Sequence, residues 1–178
     1  MNEEQLLKEC LEGIKLSQKA FYEMFARRMM GVLMRYCDTL EDAEDLLQEG
    51  FIKVFENLQS YRYEGSLDGW VRRIMVNNAI SRFRGKIDFE TVELNESHSL
   101  KADSSFHTDH ALNAQDLLTL IRKLPAGYRT IFNMYAIEGF THREIGEQLG
   151  ISEGTSKSQL ARAKAILQKQ ISHTALTI

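Results

Sequence analysis

The chain is poor in the residues that punctuate or staple a fold. It has a single proline, Pro125, and two cysteines, Cys10 and Cys37, in 178 residues. Two cysteines are too few for a disulfide framework, and these lack metal-ligand spacing. No uncharged apolar run reaches about eighteen residues, the length a membrane-spanning helix needs. No β-type alternation of useful length occurs, which leaves helices as the regular structure. The opening residues, MNEEQLLKEC, are acidic and polar and do not resemble a secretory signal, so the expected compartment is reducing cytosol. Net charge is also small, at −3, which argues against a protein that coats nucleic acid nonspecifically. The apolar content, 43% against 26% charged, excludes a wholly disordered chain and suits one ordinary domain or two small ones.

The small net charge hides four blocks. Residues 1–50 carry six basic and eleven acidic side chains; residues 51–86 carry seven and three. Residues 87–120 carry one and seven, and residues 121–178 carry eight and four. Two basic blocks of +4 are thus separated by acidic ones. Local potential, rather than net charge, decides where a polyanion docks.

Apolar spacing divides the chain into two helical units. Leu6, Leu7, Cys10, Leu11 and Ile14 form a short stripe. From Ser17 to Tyr36, Ala20, Phe21, Met24, Phe25, Met29, Val32, Leu33 and Tyr36 recur at three- and four-residue intervals, the mark of an amphipathic helix. Thr39 is a suitable N-cap, with Glu41 and Asp42 in the first turn. The helix behind it carries Ala43, Leu46, Leu47, Gly50, Phe51, Val54 and Leu58. After SYRYEGS (60–66), Leu67 to Arg84 reads as a fourth helix studded with arginines. Residues 87–111 are acidic, rich in Ser and His, and without period, as a linker would be.

In the second unit Leu117, Leu118, Ile121 and Leu124 form a stripe stopped by Pro125. Tyr128, Ile131, Phe132 and Tyr135 form the next, ending near Gly139. Thr141 and Glu144 fit a capping box. Ile145 and Leu149 are its apolar face, Gly150 closes it, Ser152 caps, and a last helix runs from about Glu153 to Ile171. Two short helices joined by a tight turn, with small Gly146 at their crossing, form the helix-turn-helix pattern. Its second helix fits the DNA major groove. At 100° per residue, Thr155, Lys157, Ser158, Ala161, Arg162 and Lys164 fall on one polar, basic side, and Ser156, Leu160, Ala163 and Leu167 on the other.

LPAGYRTIFNMYAIEGFTHREIGEQLGISEGTSKSQLARAK (124–164) resembles region 4 of the sigma factors of bacterial RNA polymerase, closest to the extracytoplasmic-function group. DAEDLLQEGFIKVFENL (42–58) and LDGWVRRIMVNNAISRFR (67–84) resemble region 2 of the same group. The two resemblances stand in the family's order and cover nearly the whole chain. They imply an all-α protein of two small helical domains, 1–86 and 112–178, joined by a flexible acidic linker, 87–111.

The resemblance also implies partners and roles. The first domain is expected to grip the clamp of the polymerase's largest subunit through Asp45, Gln48, Glu49 and Lys53. The acidic side of that helix suits a basic partner. The second-largest subunit's flap is a further expected contact. Asp42, Asp45 and Glu49 lack the Glu-x-x-His companion of a carboxylate metal site, and no catalytic motif is present. No enzyme activity, cofactor or metal is therefore expected. The −10 promoter element is expected at the loop and basic helix through Tyr61, Arg62, Tyr63, Trp70, Arg72, Arg73, Asn77, Arg82 and Arg84. These supply stacking faces and cations for single-stranded bases, although Trp70 also suits a core. Ser81 stands where the family often has Asp.

The −35 element is expected on the recognition helix, at Lys157, Ser158, Ala161 and Arg162, with Thr155 near the backbone. Three positions depart from the family's habit. Ser156 replaces an apolar core residue, Gln159 a basic one, and Ala161 a larger one. Gln159 is counted with the −35 contacts and would read adenine if it faced the groove, although the wheel places it toward the edge. In the family the linker threads toward the polymerase cleft; His98, His107 and His110 lie in it and are read as solvated rather than metal-binding. An anti-sigma partner is expected, and a free monomer. A stand-alone helix-turn-helix regulator is the alternative. Against it, about three to five phosphate contacts give only modest unaided affinity, and no dimerising heptad appears.

Overall fold

A computed structural model describes residues 2–85 and 114–175. Among them every regular element is helical. Proximity of the backbone groups the chain into two compact units, Met1–Ala79 and Ile80–Ile178, and each is described by itself. The expected linker 87–111, with its three histidines, lies outside the described residues.

In the first unit α1 runs Glu3–Leu11, α2 Lys15–Leu33 and α3 Leu40–Glu56, and α4 (Leu67–Phe83) begins there and ends four residues past its limit. Thr39 caps α3 as its sequence position predicts: the Asp42 amide donates to its Oγ1 at 3.1 Å, satisfying one of the donors a helix start leaves open. Leu58 does not extend α3. Asn57 ends that helix, and Leu58–Ser60 form a separate 3-10 turn. The core is built from Phe21, Phe25, Met29 and Leu33 of α2, Leu46 and Val54 of α3, and Val71 and Met75 of α4, all buried. Each such side chain contributes about 1.5–3 kcal/mol by leaving water. Gly50 brings α3 and α4 together, because a Cβ there would lie 2.2 Å from Met75 Sδ. Arg28 Nη1 bridges to Asp68 Oδ1 at 3.0 Å, tying α2 to the first turn of α4.

The second unit contains α5 (Ala114–Arg122), α6 (Ala126–Phe132), α7 (His142–Leu149) and α8 (Glu153–Ala175). Pro125 separates α5 from α6 as expected, since it cannot donate the hydrogen bond that would continue the helix. The apolar stripe through Tyr135 is not one α-helix. It ends in a π-helical turn, Asn133–Ile137, where the Glu138 amide reaches back five residues to Asn133 O at 3.0 Å. The wider turn keeps Asn133 and Met134 fully buried while Tyr135 stands at the surface. Such insertions recur near functional sites. Ile121, Leu124, Tyr128, Ala163 and Leu167 form the core between α5, α6 and α8. Buried Arg129 donates from Nη1 to Arg122 O at 3.0 Å, satisfying a carbonyl at the end of α5. α8 extends four residues beyond the Ile171 end that the sequence pattern suggested.

Candidate nucleic-acid interface

The α7–turn–α8 segment is held by local devices that its sequence spells out. The Thr141 Oγ1 accepts from the Glu144 amide at 3.2 Å, and the Thr141 amide donates to Glu144 Oε2 at 2.8 Å. This is the reciprocal capping box. Gly150 takes φ +73 and Gly146 packs against the turn, where a Cβ would lie 2.8 Å from Ile151 O. Ser152 caps α8 by accepting from the Thr155 amide at 2.9 Å.

α8 presents Lys157, Ala161 and Lys164 as exposed residues, with Thr155, Ser158 and Arg162 half-buried beside them. These six share the side that the sequence assigned to DNA. Ala161 leaves room for a close approach. Lys157 Nζ is paired with Glu153 Oε1 at 2.6 Å, and this hydrogen bond holds the Glu153 carboxyl below its usual range. The Ser158 hydroxyl turns back onto Thr155 O at 3.0 Å.

Gln159 corrects the sequence expectation. It is 0% exposed, so it packs inside the unit and presents nothing to a base edge. α8 packs against α5, α6 and α7 together, which widens its buried arc beyond a single stripe.

A side-chain group beside α8 escaped the sequence reading. Tyr135 stacks on His142 with ring centres 4.5 Å apart and planes at 20°. His142 Nδ1 lies 2.9 Å from the fully buried Ser156 Oγ, and Lys164 Nζ stands 5.9 Å from the Tyr135 ring centre. Partial burial, then the Lys157 ammonium, lowers the His142 pKa; Glu153 opposes and Lys164 adds to the lowering. The serine that departs from the family's apolar habit is thus matched by a polar partner. Only its pairing with a histidine fourteen positions earlier carried that signal.

In the first unit, Tyr61, Tyr63 and Trp70 form one aromatic cluster, with Tyr61 centred 4.9 Å from Tyr63 and 5.5 Å from Trp70. Tyr61 was expected as an open stacking face, but it is 9% exposed and its hydroxyl donates to Gly65 O at 2.9 Å. It supports the loop. Tyr63 is 60% exposed and takes φ 58, a left-handed conformation uncommon outside glycine. Trp70 is half-buried. Arg62, Arg73, Asn77 and Arg84 are exposed, and Arg72 and Arg82 are half-buried.

On α3, Asp45, Gln48, Glu49 and Lys53 are exposed. They follow at three- and four-residue spacing and so share one side of the helix. Lys53 Nζ donates to Asn78 Oδ1 of α4, an inward partner that the sequence did not suggest. No group of three or more His, Cys, Asp or Glu suited to a metal occurs among the described residues. No described helix is long and apolar enough to cross a membrane.

Comparison with known proteins places these features. Sigma-70 region 2 matches residues 21–86, and sigma-70 region 4 matches residues 114–167. The ECF RNA polymerase sigma factor SigM of Mycobacterium tuberculosis is 30% identical over 157 residues, covering 86% of this chain and 78% of SigM. This chain belongs to the ECF sigma factors of RNA polymerase.

SigE of Mycolicibacterium smegmatis, another ECF sigma factor, is 33% identical over 148 residues. That match covers 80% of this chain and 57% of SigE, so the chain spans little more than half of that relative. The fold is also that of the sigma factor RpoE solved with the anti-sigma factor NepR from Bartonella quintana. Its TM-score is 0.50 at 21% identity, over 86% of this chain and 96% of that one. In this ECF sigma factor the region 4 match contains α7, the turn and α8 as far as Leu167, and the region 2 match contains α3, the aromatic loop and α4.

Proposed function

We propose that the chain binds core RNA polymerase and directs it to promoters with no bond chemistry of its own. The reading rests most on one observation: both sigma-70 regions occur in one chain, in order, and the second carries an exposed basic side on its recognition helix. Lys157, Ser158, Ala161 and Arg162 approach the −35 element in the major groove, with Thr155 at the backbone. Tyr63, Arg62, Arg73, Asn77 and Arg84 engage the −10 element, Tyr63 supplying the stacking face and the arginines a track for phosphates. Arg72, Arg82 and Trp70 stand behind them. Asp45, Gln48 and Glu49 dock on a basic polymerase surface, the clamp of the largest subunit, while the second domain meets the flap. The domain limits 1–86 and 112–178, with 87–111 between, belong to the same proposal. So do a cytoplasmic place of action and an anti-sigma partner of the kind solved with the Bartonella quintana protein.

Run-off transcription with bacterial core polymerase and a promoter library tests this. New start sites that depend on the added chain are expected. Tight unaided binding to duplex DNA, with no polymerase association and no new start site, would instead identify a stand-alone regulator.

A further inference from the structure

At the crossing of α3 and α4, a side chain that neither helix displays links the two. Gly50 lets the helices approach, and one turn along α4 from Met75 lies Asn78, only 4% exposed. Burying a primary amide is tolerated where its hydrogen-bonding positions find partners. Here Nδ2 donates to Leu46 O at 3.3 Å and reaches Glu49 Oε2 at 3.5 Å, while Oδ1 accepts from Lys53 Nζ. Leu46, Glu49 and Lys53 stand three and four residues apart and so follow one stripe of α3. A single amide from α4 therefore spans two turns of α3 and touches a carboxylate and an ammonium on the side that carries Asp45 and Gln48. Asn77, its neighbour in sequence, is exposed.

We propose that Asn78 is a positioning residue for polymerase docking: it turns the Lys53 ammonium in against α4 and fixes Glu49, so that α3 offers an acidic face. The proposal rests on the reading that this side of α3 meets polymerase. Without the amide, Lys53 is released to move over that face on its long flexible stem. Glu49 and Lys53 are four residues apart in the order that favours an ion pair on a helix. The released pair would neutralise the carboxylate that a basic partner requires, and the positive charge would repel that partner. Asn78 thereby makes the docking charge of one helix depend on the seating of another.

The test is a double-mutant cycle read as affinity of the labelled full chain for bacterial core polymerase, with thermal unfolding followed in parallel. Asn78→Leu is expected to weaken binding about five- to twenty-fold, a coupling of the size that touching residues show. In a Lys53→Met background, with no ammonium left to misplace, the same substitution should weaken binding by no more than about twofold. Asn78→Gln keeps both the acceptor for Lys53 and the amide donor toward Leu46 O and Glu49 and should stay within about threefold of the parent, which keeps the proposal testable if Asn78→Leu fails to fold. Equal losses in both backgrounds would mean that Asn78 serves stability alone, and overturn the proposal. So would unchanged binding by Asn78→Leu, or an Asn78→Gln loss of more than about threefold with thermal unfolding unchanged. Failure of the parent chain to bind polymerase overturns the reading of the α3 face and the proposal with it. Parent binding with Asn78→Leu unaffected overturns the proposal alone.

Discussion

His142 Nδ1 lies 2.9 Å from Ser156 Oγ, joining the first residue of α7 to a fully buried position on α8. The imidazole is also stacked on Tyr135 of the π-helical turn. Burial and the ammoniums of Lys157 and Lys164 favour its neutral form, with Glu153 opposing. Its pKa in the fold is therefore below the usual value of about 6.5. The unfolded chain then binds more protons than the folded one in the interval just below that value, so stability rises with pH there. The His142 contribution to stability should be fully present above about 7 and be lost as pH falls below about 6.5. Chemical denaturation at pH 5 to 8 measures this. His142→Phe with Ser156→Val should flatten the dependence, whereas an unchanged slope would assign it to other groups.

The Gly146 hydrogen that faces Ile151 O leaves no room for a methyl group, because the obstacle is backbone. Gly146→Ala should cost about 1–3 kcal/mol through overpacking and weaken binding to a −35 duplex by loosening the turn. Gly31, on the exposed side of α2, meets nothing within 4 Å. Gly31→Ala should stabilise by about 0.5–1 kcal/mol, the ordinary helix preference of alanine over glycine. Thermal unfolding of the two variants should move in opposite directions. A gain at Gly146 would contradict the close packing of the turn.

Lys157 is paired with Glu153 at 2.6 Å on an exposed helix surface, where such pairs contribute little to stability. A phosphate that binds Lys157 must therefore compete with that carboxylate. Glu153→Gln should raise affinity for a −35 duplex about two- to fivefold at low salt, because it removes the competing pair and a repelling charge. Lys157→Ala with Arg162→Ala should lower affinity and make the salt dependence shallower, by about one unit of log–log slope for each phosphate no longer neutralised. Polymerase association should be retained. Gln159→Ala should behave differently. Fully buried, it should lose about 1–2 kcal/mol of stability with no change in base preference.

What the sequence made legible is what is decided within one turn of chain. The Thr39 cap, the Thr141–Glu144 box, the Pro125 break and the left-handed Gly150 depend on residues at most four apart, and each appears where its residue types predict. The outward side of α8 was readable for the same reason. Gln159, at the edge of the outward side on a wheel, is buried because a wheel describes one helix and not how many helices surround it. The supporting role of Tyr61, the Asn78 link to α3 and the His142–Ser156 pair all join residues whose meeting depends on tertiary packing or on a loop's backbone. The π-helical turn also escaped, since its apolar spacing reads as an ordinary helix.

Tyr63 combines 60% exposure with φ 58 on a non-glycine residue, and its ring rests 4.9 Å from that of Tyr61. A left-handed conformation costs a residue with a Cβ about 1–2 kcal/mol, and such strain persists at sites where function requires the side chain. Stability and promoter binding should therefore part at this position. Tyr63→Gly should leave unfolding unchanged or up to about 1 kcal/mol more favourable to the fold. The same variant in holoenzyme should bind a −10 fork-junction DNA about 1–3 kcal/mol more weakly, the size of one base–aromatic stack. Tyr61→Phe should show the reverse: a loss of about 1 kcal/mol in stability from the missing bond to Gly65 O, with −10 binding nearly intact. Fork-junction titrations and thermal unfolding on both variants decide it. A destabilised Tyr63→Gly that binds DNA normally would make Tyr63 a packing residue and move −10 recognition onto the arginines of α4.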